Sequence, residues 1–113
     1  MNILNKVIAL DELRSMAVDT FGDLVKAVVD VERGLIAVNG ELHSDLEAVL
    51  LENGSKQKDL WGVNFYPGLD DEDFIEFDSM INIRPSQGNV SRGVDDQEKR
   101  RRIIEVVNKW VQR

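Results

Sequence analysis

The chain contains no cysteine, two prolines and one histidine, and aromatic residues make up only 6% of it. Without cysteine there is no disulfide framework, no thiolate zinc site and no cysteine nucleophile. No apolar run approaches the roughly 20 residues that span a bilayer. The N-terminal Met1-Asn2-Ile3-Leu4-Asn5-Lys6 lacks the apolar stretch of a secretory signal. These absences predict a cytoplasmic protein without membrane association, in which the N-x-S triplets at Asn53 and Asn89 have no glycosylation meaning. The G-x-x-x-x-G-K-S/T, G-x-G-x-x-G, H-E-x-x-H and G-x-S-x-G motifs are also missing. A serine–histidine–acid triad could use only His43, and no serine has the sequence context of a nucleophile elbow.

What is present suits one domain over residues 1–113, with 42% apolar and 31% charged residues. The net charge of −7 is uneven: residues 95–113 carry +2, which leaves −9 on the rest. An acidic body repels nucleic-acid phosphate at long range, so nucleic acid is not an expected partner. Lys99-Arg100-Arg101-Arg102 does not alter this, because four consecutive residues spread around a helix and Glu98 and Glu105 dilute them.

The apolar periodicity predicts three helices. The first is capped by Asp11, with Leu13, Met16, Ala17 and Phe21 on one face. The second opens with the capping box Ser44-Asp45-Leu46-Glu47. The third is capped by Asp95 or Asp96 and carries the stripe Ile103, Ile104, Val107, Trp110 and Val111. Strands are predicted at 24–31 and 35–42, joined by a three-residue loop with Gly34 left-handed, although Asn39-Gly40 is a rival turn. Two more are predicted at 60–66 and 74–83, joined through Pro67-Gly68 and the acidic run 70–73. Residues 2–9 read as a short strand or a mobile arm. The expected architecture is α+β: a four-stranded, mostly antiparallel sheet of two hairpins with three helices largely on one face.

Three constellations carry chemistry. The loop Arg84-Pro85-Ser86-Gln87-Gly88-Asn89-Val90-Ser91-Arg92 is dense in directional donors, and loops of this kind hold sites. Arg84 and Arg92 would grip an anion while Ser86, Gln87, Asn89 and Ser91 complete the cradle. The competing reading is a loop whose polar side chains satisfy its own backbone. The acids at Asp95-Asp96 also occupy the helix end that a phosphate would use. Secondly, His43 stands among Glu41, Asp45 and Glu47. Asp30 cannot join them through the hairpin, since Glu41 would lie about 16 Å along its strand, and no metal is expected. Thirdly, the polar face of strand 74–83 (Glu76, Asp78, Asn82, Arg84) would lie beside Asn64 and Tyr66. That face reads as solvated, as a dimer surface anchored by Met80 and Tyr66, or as acid–base machinery.

Several phrases together carry a family resemblance: Ala27-Val28-Val29-Asp30-Val31-Glu32, Gly40-Glu41-Leu42-His43-Ser44-Asp45-Leu46-Glu47, Leu60-Trp61-Gly62-Val63-Asn64-Phe65-Tyr66-Pro67 and Phe77-Asp78-Ser79-Met80-Ile81-Asn82-Ile83-Arg84-Pro85-Ser86-Gln87-Gly88-Asn89. The chain resembles a family of small prokaryotic proteins catalogued only as a domain of unknown function, which implies no activity, cofactor or site residue. From its residues the chain is expected to be a non-catalytic binding or regulatory module, forming a homodimer and accepting a small anionic ligand at 84–92, with no cofactor. The candidate ligand residues are Arg84, Ser86, Gln87, Asn89, Ser91, Arg92, Asn64, Tyr66, Asp78 and His43. The alternative is a small phosphoesterase or nuclease-like hydrolase using Arg84, Arg92 and His43, or a strand carboxylate such as Glu76 or Asp78, as base.

Overall fold

The computed structural model describes all residues, 1–113. The elements in order are β1 (Asn2–Ile3), β2 (Ile8–Ala9), α1 (Leu10–Asp19), β3 (Val25–Asp30), β4 (Leu35–Val38), α2 (His43–Glu52), β5 (Leu60–Phe65), α3 (Asp71–Phe74), β6 (Ile75–Glu76), α4 (Gln97–Trp110) and β7 (Val111–Gln112). Single 3₁₀ turns lie at Gln57–Asp59, Met80–Asn82 and Pro85–Gln87. The α+β class holds, and the main sheet is antiparallel. It has five strands in the order β1–β4–β3–β5–β6, not four, because the N-terminal segment adds an edge strand with Ile3 opposite Ala37. A second, parallel pair joins Ile8 to Val111 and ties the two ends of the chain together.

Helices cover both faces of the sheet rather than mainly one. Period-2 alternation splits the central strands. Ala27, Val29, Ile36, Val38, Trp61, Val63 and Phe65 join Leu13 and Ala17 of α1 and Ile103, Val106 and Val107 of α4 in the main core. The alternate residues Val28, Ala37 and Leu60 meet Leu46 and Leu50 of α2 in a smaller core. Burying each of those leucines contributes about 1.5–3 kcal/mol. The strands are therefore apolar on both faces, as sheets covered on both sides are.

Local chemistry accounts for shifts of one residue. The hairpin loop is 31–34, pairing Asp30 with Leu35, because the Asp30 carboxylate collects the Glu32 and Arg33 N–H groups and the Ser55 hydroxyl. Gly34 is left-handed at φ 67°. Helix α1 starts at Leu10, so Asp11 lies in its first turn rather than at its cap. Asp96 caps α4 by accepting from Glu98 and Lys99 N–H, whereas Asp95 serves the preceding loop. Helix α2 starts at His43, with Leu42 at the cap position and no side-chain cap, so the expected Ser44 capping box does not form.

The largest departure is the expected strand 74–83. Phe74 ends α3, pairing with β5 stops after Glu76, and the chain turns away through the 3₁₀ turn at Met80–Asn82. Ser79 stabilises that turn by accepting from Ile81 N–H. The edge of β5 is still satisfied, but by side chains. Gly62 N–H donates to Asn82 Oδ1 at 2.8 Å, and Asn82 Nδ2 donates to Gly62 O at 3.0 Å and to Arg92 O at 3.0 Å. One buried amide thus stands in for a strand residue. Gly62 is required for this approach, since a Cβ there would lie 2.5 Å from Ser79 Cβ and 3.2 Å from His43 Cδ2.

Removing the Asn82 amide leaves buried backbone groups unpaired, at about 1–3 kcal/mol each. Asn82→Ala should therefore lower the unfolding free energy by about 2–4 kcal/mol in chemical denaturation. A loss below about 1 kcal/mol would show that the β5 edge is satisfied in another way.

Candidate functional site

The sheet face beneath α2 is apolar at Val28 and Leu60 but ends in a polar row. Lys26 on β3, Asn64 on β5 and Glu76 on β6 are direct cross-strand neighbours. The first turn of α2 stops above this row, leaving a cavity of about 200 Å³. Its polar walls are Lys26, His43, Ser44, Asn64, Asp78, Ser79 and Arg92, and its apolar wall is Leu42, Met80 and Ile81. Tertiary folding thus gathers four of the expected residues, His43, Asn64, Asp78 and Arg92, around one opening. Lys26 and Ser44 were missed by sequence reasoning. The one available signal was a lysine interrupting an apolar strand.

The row is cross-linked. Glu76 Oε1 accepts from Asn64 Nδ2 at 2.8 Å and from the Tyr66 hydroxyl at 3.1 Å. Asn64 Nδ2 also donates to Asp78 O at 3.3 Å. Both partners of Nδ2 are acceptors, which fixes the amide orientation. Asn64 Oδ1 is then left as a buried acceptor without a donor. Burial and the adjacent Glu76 charge raise the Tyr66 pKa above its usual 10. Arg92 Nε donates to Asp78 Oδ1 at 2.7 Å in a half-exposed ion pair, a type worth at most about 1 kcal/mol. The Nη groups of Arg92 have no intramolecular partner, so they are free donors.

His43, the first residue of α2, is buried against Gly62. Its Nε2 lies 2.9 Å from Val63 O. A carbonyl only accepts, so Nε2 carries a hydrogen and the neutral ring keeps its lone pair on Nδ1. Burial is the main cause of a pKa below 6.5, and the Lys26 charge adds to it. The backbone N–H groups of His43 and Ser44 have no acceptor in the chain. The uncapped, positive end of the α2 dipole therefore stands beside Lys26 and Arg92.

The loop 84–92 is built differently from an anion cradle. Arg84 Nε donates to Ile81 O, Nη1 to Gln57 O and the Gln87 side chain, and Nη2 to Leu60 O, while the guanidinium lies 4.2 Å from the Trp61 ring centroid. Asn89 Nδ2 donates to Asn82, Ser91 and Gly93 carbonyls, and its Oδ1 accepts from Asp95 N–H. Ser91 Oγ bonds Asp95, whose carboxylate also accepts from Val90 N–H. Arg84 ties the loop to backbone carbonyls outside it, Asn89 and Ser91 tie it to its own flanks, and neither these residues nor Ser86 and Gln87 line the cavity. Tyr66 reaches it only through Glu76. Glu41, His43 and Asp45 form no metal-binding cluster. On α4, Arg101 pairs with Glu98 and Glu105, Arg102 with Glu32, and Arg100 stacks on Phe77, so these three arginines are already engaged. No helix is long and apolar enough to cross a membrane.

A family model described as "Protein of unknown function (DUF5674)" matches residues 2–110. No curated protein and no solved structure matches the chain.

Two measurements check this geometry. Because the folded pKa of His43 is depressed, the unfolded chain binds the extra proton first. The stability held at neutral pH should therefore fall as pH drops below about 6.5, and His43→Gln should flatten that segment of the curve. An NMR titration placing the imidazole pKa at or above 6.5 would contradict its burial. Arg84→Lys loses the planar fork and the stacking. It should cost about 1–3 kcal/mol in denaturation while leaving ligand binding at the cavity unchanged.

Proposed function

This chain belongs to the DUF5674 family, and from the chemistry of its site we propose a non-catalytic binding module that holds the anionic group of a small ligand in the cavity at the start of α2. The carrying observation is the uncapped first turn of α2, with unpaired His43 and Ser44 N–H groups, opening between Lys26 and the free Nη groups of Arg92. Backbone donors at a helix start and flanking cations are the usual components of an anion site. About 200 Å³ is roughly the space of six or seven waters, which suits a small metabolite more than a drug-sized molecule. Met80, expected as a dimer anchor with Tyr66, then acts with Leu42 as the apolar wall of the ligand site.

The hydrolase reading keeps one supporting observation. His43, neutral near pH 7, shares the cavity with Arg92, so a base and a phosphate-stabilising cation could face one substrate. Arg84 takes no part in it, since its donors are spent on backbone carbonyls.

NMR titration with inorganic phosphate and with acetate separates these readings. Binding should shift the amides of Lys26, His43, Ser44 and Asn64 saturably, and Lys26→Met or Arg92→Ala should each weaken it about five- to tenfold. Shifts confined to 84–91, or none at all, would refute the binding site. Turnover of an aryl phosphate ester that disappears in His43→Gln would favour the hydrolase.

A further inference from the structure

His43 and Asn64 meet in the wall of the cavity, and their pairing lacks a hydrogen. His43 is 9% exposed and Asn64 6%. Both hydrogens of Asn64 Nδ2 are used, on Glu76 Oε1 and Asp78 O, so the amide cannot turn over and its Oδ1 stays an acceptor without a donor. The side chain beside it is the His43 ring, and a hydrogen bond between the two favours the charged ring. Nε2–H is committed to Val63 O, which leaves Nδ1 for Asn64. In the neutral ring Nδ1 is itself an acceptor. Two buried lone pairs then face each other. One added proton turns Nδ1 into a donor and satisfies both side chains.

Burial is what most opposes that proton, Val63 O favours it, the Lys26 ammonium on β3 opposes it, and Asn64 and Asp78 favour it. The other charges around the ring are already matched. Arg92 holds Asp78, and Glu76 is bonded by Asn64 and Tyr66. Glu41 and Asp45, on either side of His43 in the chain, are exposed. Lys26 is therefore the cation that an incoming anion would neutralise, and an anion on the His43 and Ser44 N–H groups would also attract a cationic ring. We propose that the cavity takes up its oxyanion together with one proton, carried on His43 Nδ1 and held by Asn64 Oδ1. The proposal rests on the anion-binding reading above and gives that site its regulation. The anion stabilises the protonated ring and so raises the His43 pKa from its depressed position. By reciprocity, acidification tightens the anion. Affinity rises as pH falls through the pKa of the unliganded ring, below 6.5, and is flat well above the pKa of the liganded one.

Titration of the full chain with sodium sulfate tests this, because sulfate keeps the same charge over the range used. At constant ionic strength it should bind about five- to tenfold more tightly at about pH 5.5 than at about pH 8. Calorimetry in buffers of different ionisation enthalpy should register proton uptake on binding. NMR of the ring nitrogens should show both carrying hydrogen in the sulfate complex at the lower pH. His43→Gln keeps an N–H donor for Val63 O but cannot gain a charge, and should bind sulfate equally at both pH values. Equal wild-type affinity at both, without proton uptake, overturns the coupling and leaves the anion site standing. A pH dependence that survives in His43→Gln removes His43 from the role. A ring that stays neutral in the complex does the same, and that measurement decides the matter if His43→Gln does not fold. If sulfate shifts none of the Lys26, His43 and Ser44 amides at either pH, the anion site and the coupling fall together.

Discussion

The structure turns on how the outer edge of β5 is satisfied. A strand edge carries backbone donors and acceptors that must find partners once buried. Here β6 pairs with only two residues of β5, and the Asn82 amide and Arg84 guanidinium complete the row at Gly62 and Leu60. Because one amide bonds both polar groups of Gly62, the chain after β6 can leave the sheet plane without orphaning it. That departure lets Asp78, Ser79 and Met80 rise beside β5 instead of extending a flat sheet. It also brings Arg92 O to Asn82, and with it the Arg92 side chain to the cavity. The site is therefore a consequence of an unfinished strand.

Glycine at position 62 serves the same end. It removes the one Cβ that would hold Ser79 and His43 away from β5. His43 can then lie on the strand with Nε2 on Val63 O, and α2 can begin over the polar row rather than further back. The helix start has no side-chain cap, and a cap residue would have occupied donors on which the proposed anion site rests. The local optimum, a Ser44 capping box, is set aside, and the first N–H groups of α2 are left without an acceptor in the chain.

Much of the fold was legible. The strand segments β3, β4 and β5, the left-handed Gly34 and the acidic cap of α4 follow from β-branched apolar runs, loop chemistry and carboxylate capping, all local rules. The strand reading of 74–83 failed because alternation alone cannot distinguish a strand from an extended segment with a 3₁₀ turn, and what decided it was Asn82, a distant partner of Gly62. The placement of helices on one face failed because apolar residues on both faces of β3 were taken as strand character rather than as two cores. The candidate site was half legible. His43, Asn64, Asp78 and Arg92 were singled out separately, but the loop donors around Arg84, Asn89 and Ser91 look identical in sequence whether they bind a ligand or bind one another.

Composition and periodicity by themselves determined an α+β chain without thiol chemistry, with an acidic body, apolar central strands and polar residues in the right segments, because those properties depend on residue type and near-neighbour spacing. Only the tertiary structure decided which polar groups were spent. Arg84 and Asn89, the most promising donors in sequence, are consumed by backbone carbonyls far along the chain or across their own loop. Lys26, whose ammonium lies 5.1 Å from the Phe21 ring centroid, and the first turn of α2 keep hydrogen-bond donors that no group in the chain accepts. The physical reason is that hydrogen-bond satisfaction of buried groups is a three-dimensional constraint, and what remains unsatisfied after folding is what a ligand can use.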